Sequence, residues 1–137
     1  MGRFPSAAHL ASWVGMCPGS YESAGKQKGG KTRKGNKWLR RALVEAACAA
    51  ARNKDTYLAA RYRRLLVRRG KRRAAVAVGH TLLCLVYALL ADGEVYHEPG
   101  PAYLDERRCR RVEQRALDQL RALGYEVTLT PTRQDAA

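Results

Sequence analysis

The sequence predicts a mainly α fold, a compact bundle of about five helices around one Gly/Lys-rich loop with room for a small hairpin. Three observations predict it. Apolar residues recur at three- and four-residue intervals in successive stretches, which is the helical period. Capping and stop residues fall between those stretches. The eighteen residues Ala74 to Ala91 carry no Asp, Glu, Lys or Arg, the pattern of a helix packed on all sides. A chain of 137 residues is one domain by default and is long enough to bury a core. The expected division is a domain over 1–124 and a flexible tail over 125–137.

The first helix is expected to start at Ser6 as cap, with Leu10, Trp13 and Val14 on one face. Gly15-Met16-Cys17-Pro18-Gly19 ends it. Tyr21 to Gly35 reads as loop, with a loose hairpin about Gly29-Gly30. Asn36 caps a second helix, whose apolar stripe is Trp38, Leu39, Ala42, Leu43, Ala46, Ala47 and Ala50. Asn53 or Asp55 starts a third, with Tyr57, Leu58, Tyr62, Leu65 and Leu66 on its apolar side and Gly70 as its stop. Lys71-Arg72-Arg73 leads into the apolar fourth helix, where His80 reads as a satisfied core histidine rather than a base. Turn formers fill Asp92 to Pro101. A fifth helix follows from about Tyr103 to Leu123, with Cys109, Val112, Ala116, Leu120 and Leu123 on one face and Gly124 as its stop. Tyr125 to Ala137 reads as a frayed tail with a short extended piece.

Charge bounds the partners. The formal net charge is +14, a footprint for nucleic acid or an anionic membrane surface. Aromatics make up only 7%, which argues against a surface built mainly on base stacking. Ala74 to Ala91 reaches the lower length limit of a membrane span. Its alanines and the Gly79-His80-Thr81 interruption favour a core helix, so no membrane partner is expected. Cys17, Cys48, Cys84 and Cys109 are far apart and form no C-x-x-C pair, so a zinc site is not expected and free thiols are. No secretory signal is visible at the N-terminus, and a cytoplasmic location is expected.

The chemistry concentrates between Cys17 and Arg41. That run holds eight cations, Lys26, Lys28, Lys31, Arg33, Lys34, Lys37, Arg40 and Arg41, with no acid between Glu22 and Glu45. Glycines let a backbone turn tightly and approach an anion. Lys and Arg add charge and phosphate donors. These eight are the candidate nucleic-acid-binding residues. Lys37, Arg40 and Arg41 sit in the first turns of the second helix, where cations oppose the helix dipole. Ser20, Tyr21 and Ser23 each carry a hydroxyl able to attack phosphorus if positioned and activated. Ser23 has the best local context, Ser-Ala-Gly-Lys, but such a run is common in ordinary loops, and spacing alone leaves all three open.

The run RFPSAAHLASWVGMCPGSYESAGKQKGGKTRKGNKWLRRALVEAA resembles the C-terminal domain of insertion-sequence-110 type transposases, the IS116/IS110/IS902 group of RNA-guided serine recombinases. The similarity continues through YLAARYRRLLVRRGKRRAAVAVGHTLLCLVYALL and covers about Arg3 to Leu123. The resemblance implies DNA transposition and places the catalytic serine at Ser23. That hydroxyl would form a phosphoserine link to DNA and release a 3′-hydroxyl. It also implies a guide (bridge) RNA, a homo-oligomer in the full-length protein, and a nucleoid-associated place of action. Mg²⁺ would belong to an N-terminal RuvC-like domain, which this sequence lacks, so no cofactor is expected in the chain itself. The expectation is therefore a truncated copy or isolated domain, inactive alone. The alternative is a helical module that binds RNA or DNA without chemistry.

Overall fold

Residues 2–19, 21–93 and 95–129 are described by the computed structural model. The order is α1 (Ala7–Val14), β1 (Tyr21–Ser23), β2 (Lys26–Gly29), α2 (Lys37–Ala50), α3 (Tyr57–Arg69), α4 (Lys71–Asp92) and α5 (Tyr103–Ala122). Internal contacts divide the chain into residues 1–102 and residues 103–137. The mainly helical fold read from the sequence is the one observed.

Local chemistry sets the helix ends. The Ser6 hydroxyl accepts from the His9 amide at the start of α1. Asn36 Oδ1 accepts from the amides of Trp38 and Leu39, at 3.1 and 3.0 Å, satisfying two donors that α2 would otherwise leave open. The third helix starts later than Asn53 or Asp55. The amides of Arg52 and Asn53 bond back to Ala49 and Ala50, so these residues form the turn that follows α2, and Thr56 caps α3 by accepting from the Ala59 amide. Gly70, at φ 75°, is the single residue between α3 and α4. Lys71-Arg72-Arg73 therefore forms the first turn of α4 rather than a lead-in to it.

The first unit is built on α4, which packs against α1, α2 and α3. One cluster gathers Leu10, Ala11, Val14, Met16, Leu43 and Leu83, and a second gathers Ala47, Leu58 and Val78. Each large aliphatic side chain buried there contributes about 1.5–3 kcal/mol. Small residues let the helices close. A Cβ on Gly79 would sit 3.1 Å from the Leu43 carbonyl oxygen and 2.8 Å from Met16 Cε. The apolar stripe of α2 is narrower than its sequence suggests: Leu43 and Ala47 are buried, whereas Trp38 is 71% exposed. By length and composition α4 could cross a membrane. Its buried residues are Ala74, Ala75, Val78, Gly79 and Leu83. The Tyr87 hydroxyl donates to the Phe4 carbonyl at 2.7 Å and ties the N-terminal segment to α4.

The connector after α4 is pinned by Glu98. One carboxylate oxygen accepts from the Tyr57 amide at 2.8 Å and the Gly100 amide at 3.0 Å, and the other accepts from the Tyr96 hydroxyl at 2.9 Å. A carboxylate at the N-terminus of α3 is well placed against the helix dipole. Burial pushes Glu98 up, but the three hydrogen bonds outweigh it and leave it lowered. Burial, the hydrogen bond to Glu98 and repulsion from nearby charge push Tyr96 up to about 12.

In the second unit no residue of α5 is buried. The face of Cys109, Val112, Ala116, Leu120 and Leu123 is exposed. The amide of Gly124, at φ 86°, bonds to the Arg121 carbonyl and ends the helix. Residues 125–129 follow without regular structure, and the rest of the expected tail, 130–137, lies outside the described residues.

Glu98 is held below its usual range, so its contribution to stability is present above pH 4.5 and is lost as pH falls through its lowered folded value. Glu98→Gln removes that dependence. Urea denaturation from pH 3 to 7 should therefore show a shallower acid loss in Glu98→Gln than in the wild type.

Candidate nucleic-acid interface

The cation-rich run is a loop whose two ends are fastened together. Gly15, at φ 79°, ends α1, and Gly35 precedes the cap of α2. Their backbones touch. A Cβ on Gly35 would lie 2.4 Å from the Gly15 nitrogen, and a Cβ on Gly15 would lie 2.7 Å from the Arg33 carbonyl oxygen. Only glycine fits at either position. The Asn36 amide reaches the Trp13 carbonyl at 3.4 Å, and the Gly19 amide reaches the Lys31 carbonyl at 3.0 Å. Pro18 and Thr32 form an antiparallel bridge between these points.

Arg40 completes the fastening from α2. Its Nη1 donates to the Gly15 carbonyl at 2.9 Å and to the Arg33 carbonyl at 3.5 Å, and its Nη2 donates to Thr32 Oγ1 at 2.8 Å. A planar, forked guanidinium reaches both ends of the loop at once, which a lysine cannot do. Arg40 is half-buried, so its donors are turned inward. Nothing in its spacing separates it from the other cations of the run. Only the fold reveals this role.

Beyond the fastening the chain forms a hairpin. Ser23 pairs with Lys26, Glu22 with Gln27 and Tyr21 with Gly29, with an irregularity between Tyr21 and Glu22. The turn is Ala24-Gly25, not Gly29-Gly30 as the sequence suggests. Two-residue hairpin loops favour positive φ at both central positions, because that backbone twist matches the twist of the strands. Gly25 adopts φ 72° freely, and Ala24 is held at φ 52°. Ala24 is the sole non-glycine residue with positive φ among those described. A left-handed alanine costs about 1–2 kcal/mol. Strain of this kind collects at functional sites. Here it falls on the residue that follows Ser23.

Ser23 is exposed at the end of β1, opposite Lys26. Ser20 and the side chains of Tyr21 and Lys28 lie outside what is described. Lys26, Lys31, Arg33 and Lys34 are exposed, and none is in an ion pair among the described residues. Lys37 Nζ lies 5.3 Å from the ring centre of Trp38. Arg41 pairs with Glu45 at 2.8 Å across one helical turn, and that hydrogen bond raises its pKa. The seven cations whose side chains are described thus separate into Arg40, which builds the loop, Arg41, paired on α2, Lys37, on an indole face, and the exposed Lys26, Lys31, Arg33 and Lys34 along the loop. Among the described residues no group of three or more His, Cys, Asp or Glu side chains is placed to hold a metal ion.

The profile of the transposase IS116/IS110/IS902 family matches residues 1–63, which contain α1, the fastened loop and α2. The chain belongs to that family. It is 31% identical over 100 residues, 69% of its length, to a Sinorhizobium fredii protein named as a transposase, y4pF/y4sB. It is 35% identical over 103 residues, 72% of its length, to the uncharacterized 43.6 kDa protein of insertion element IS110 from Streptomyces coelicolor. These matches span 26% and 25% of the two relatives, so the chain corresponds to about a quarter of each. No solved structure matches this transposase-family chain.

Arg40→Ala should destabilise the fold by about 1.5–3 kcal/mol, the range for hydrogen bonds from a charged donor. Arg40→Lys should recover less than half of that loss, and Lys26→Ala should leave stability unchanged. Urea denaturation of the three variants checks all of these outcomes.

Proposed function

We propose that this chain is the DNA-gripping, serine-bearing part of a transposase, and that Ser23 is its nucleophile. The observation that carries the reading is the position of Ser23. It is an exposed hydroxyl beside a strained two-residue turn, opposite Lys26, on a loop whose Lys31, Arg33 and Lys34 face solvent. Nucleic acid supplies the anion that such a surface lacks. In the proposed step the Ser23 oxygen forms a bond to phosphorus and the P–O3′ bond breaks. The departing oxygen takes a proton as a 3′-hydroxyl, and DNA is left esterified to the serine. Lys26 is close enough in the hairpin to offset charge on the phosphoryl oxygens. Strand exchange follows when a new 3′-hydroxyl reverses the ester.

Family membership supports transposition as the process. The finer parts of the proposal are a guide RNA that selects the DNA, an assembly of several copies, and action at the nucleoid in the cytoplasm rather than at a membrane. Any metal would be held by residues other than those of this loop.

The test uses a DNA duplex with a 3′-bridging sulfur at one phosphodiester, a leaving group that needs little activation. Wild-type chain should form a covalent adduct that survives denaturing electrophoresis. Ser23→Ala should abolish the adduct while changing affinity less than about twofold. Replacing Lys26, Lys31 and Lys34 with Ala should reduce the slope of log affinity against log salt by about 3. An adduct that persists in Ser23→Ala assigns the chemistry to another hydroxyl. Binding without any adduct would support the module that grips without reacting.

A further inference from the structure

Both tryptophans of the chain stand where the loop joins the bundle. Trp13 lies one residue before the end of α1, and Trp38 is the second residue of α2. Asn36 links their backbones. Its amide donates to the Trp13 carbonyl, and its side chain accepts from the Trp38 amide at 3.1 Å. The two rings are placed differently. Trp13 leans on Phe4, with ring centres 5.6 Å apart. Trp38 is 71% exposed, belongs to neither core cluster and meets no other aromatic ring among the described residues.

What Trp38 does meet is charge. Lys37 Nζ stands over its ring, 5.3 Å from the centre, and Arg33 and Lys34 are exposed just before the Asn36 cap. An indole left in water forfeits the burial that such a large apolar group would otherwise gain. A π-face set among cations matches one kind of ligand: a base stacks on the ring while its phosphate meets the ammonium. In a duplex the faces of each base are already covered by its neighbours, so the ring selects an unpaired base. Aromatics at 7% argue against a surface built mainly on stacking, but a single platform needs only one ring.

We propose that Trp38 and Lys37 form a subsite for one unpaired nucleobase and its phosphate at the foot of the loop. The indole supplies the stacking face, and the Lys37 ammonium supplies a point charge for the phosphate. The Asn36 cap holds the start of the helix that carries both. Exposed cations elsewhere on the loop grip phosphates whether or not a base is attached. The subsite adds a dependence on the base itself. The inference rests on reading the loop as a nucleic-acid grip, and it is independent of Ser23.

The experiment titrates the intact chain with three probes: a single-stranded oligodeoxynucleotide, its abasic counterpart and the duplex of the same sequence. Trp38→Ala should weaken single-strand binding by about tenfold. It should change duplex and abasic-strand binding by less than about twofold. Lys37→Ala should lower the slope of log affinity against log salt for the single strand by about 0.7. A second readout needs no change at the site. In Trp13→Phe, Trp38 is the sole tryptophan, and its fluorescence should be quenched by the single strand but not by the abasic strand. Equal quenching by both strands overturns the proposal, as does a Trp38→Ala variant that loses all three probes alike. Self-association that Trp38→Ala abolishes, without base-dependent binding, assigns the indole to a contact between copies and also overturns it. Normal duplex binding with no base-dependent excess sinks this subsite alone, whereas failure of the wild type to bind any probe sinks the nucleic-acid grip together with it.

Discussion

The backbone contact between Gly15 and Gly35 is the constraint on which the loop depends. About twenty residues leave the bundle after α1 and return at α2, and closing such a loop costs entropy that its few apolar residues do little to offset. The cost is met at the base. Two glycines meet where no side chain fits, Arg40 bonds to both ends, and a short antiparallel seam through Gly19 and Lys31 follows. Everything beyond that seam can then be polar, charged and exposed without unravelling the fold.

This arrangement separates charge from stability. A surface rich in cations repels itself, and helix N-termini that carry Lys and Arg oppose their own dipoles. Both penalties occur here, at the start of α2 and of α4. They are offset by apolar packing around α4 and by placing one cation, Arg40, where its donors meet carbonyls instead of other cations. The remaining loop cations are left for a polyanion. The strained residue, Ala24, is exposed at the hairpin tip.

Much of this was legible in the chain itself. The helices follow from apolar period and caps, and Ser6, Asn36 and Gly70 act as their residue types suggest. Positions that depend on tertiary contact were not legible. Thr56 replaces Asn53 or Asp55 as a cap because a turn after Ala50 takes up Arg52 and Asn53. The hairpin turns at Ala24-Gly25, a choice that hydrophobic pattern does not register in a polar loop. Glu98 caps α3 from forty-one residues away, and His80 proves to lie between two thiols, Cys17 and Cys84, separated by about half the chain. Arg40 was one of eight equivalent cations until the fold turned it inward.

Amide hydrogen exchange in the wild type and Gly35→Ala tests the fastening of the loop most directly. In the wild type the Gly19 and Asn36 amides should be protected, because each bonds across the base of the loop. In Gly35→Ala, whose Cβ has no space, both should lose protection by at least about tenfold while the amides of α3 and α4 keep theirs. Unchanged protection of Gly19 and Asn36 in that variant would contradict the claim that the glycine contact holds the Ser23 loop in place.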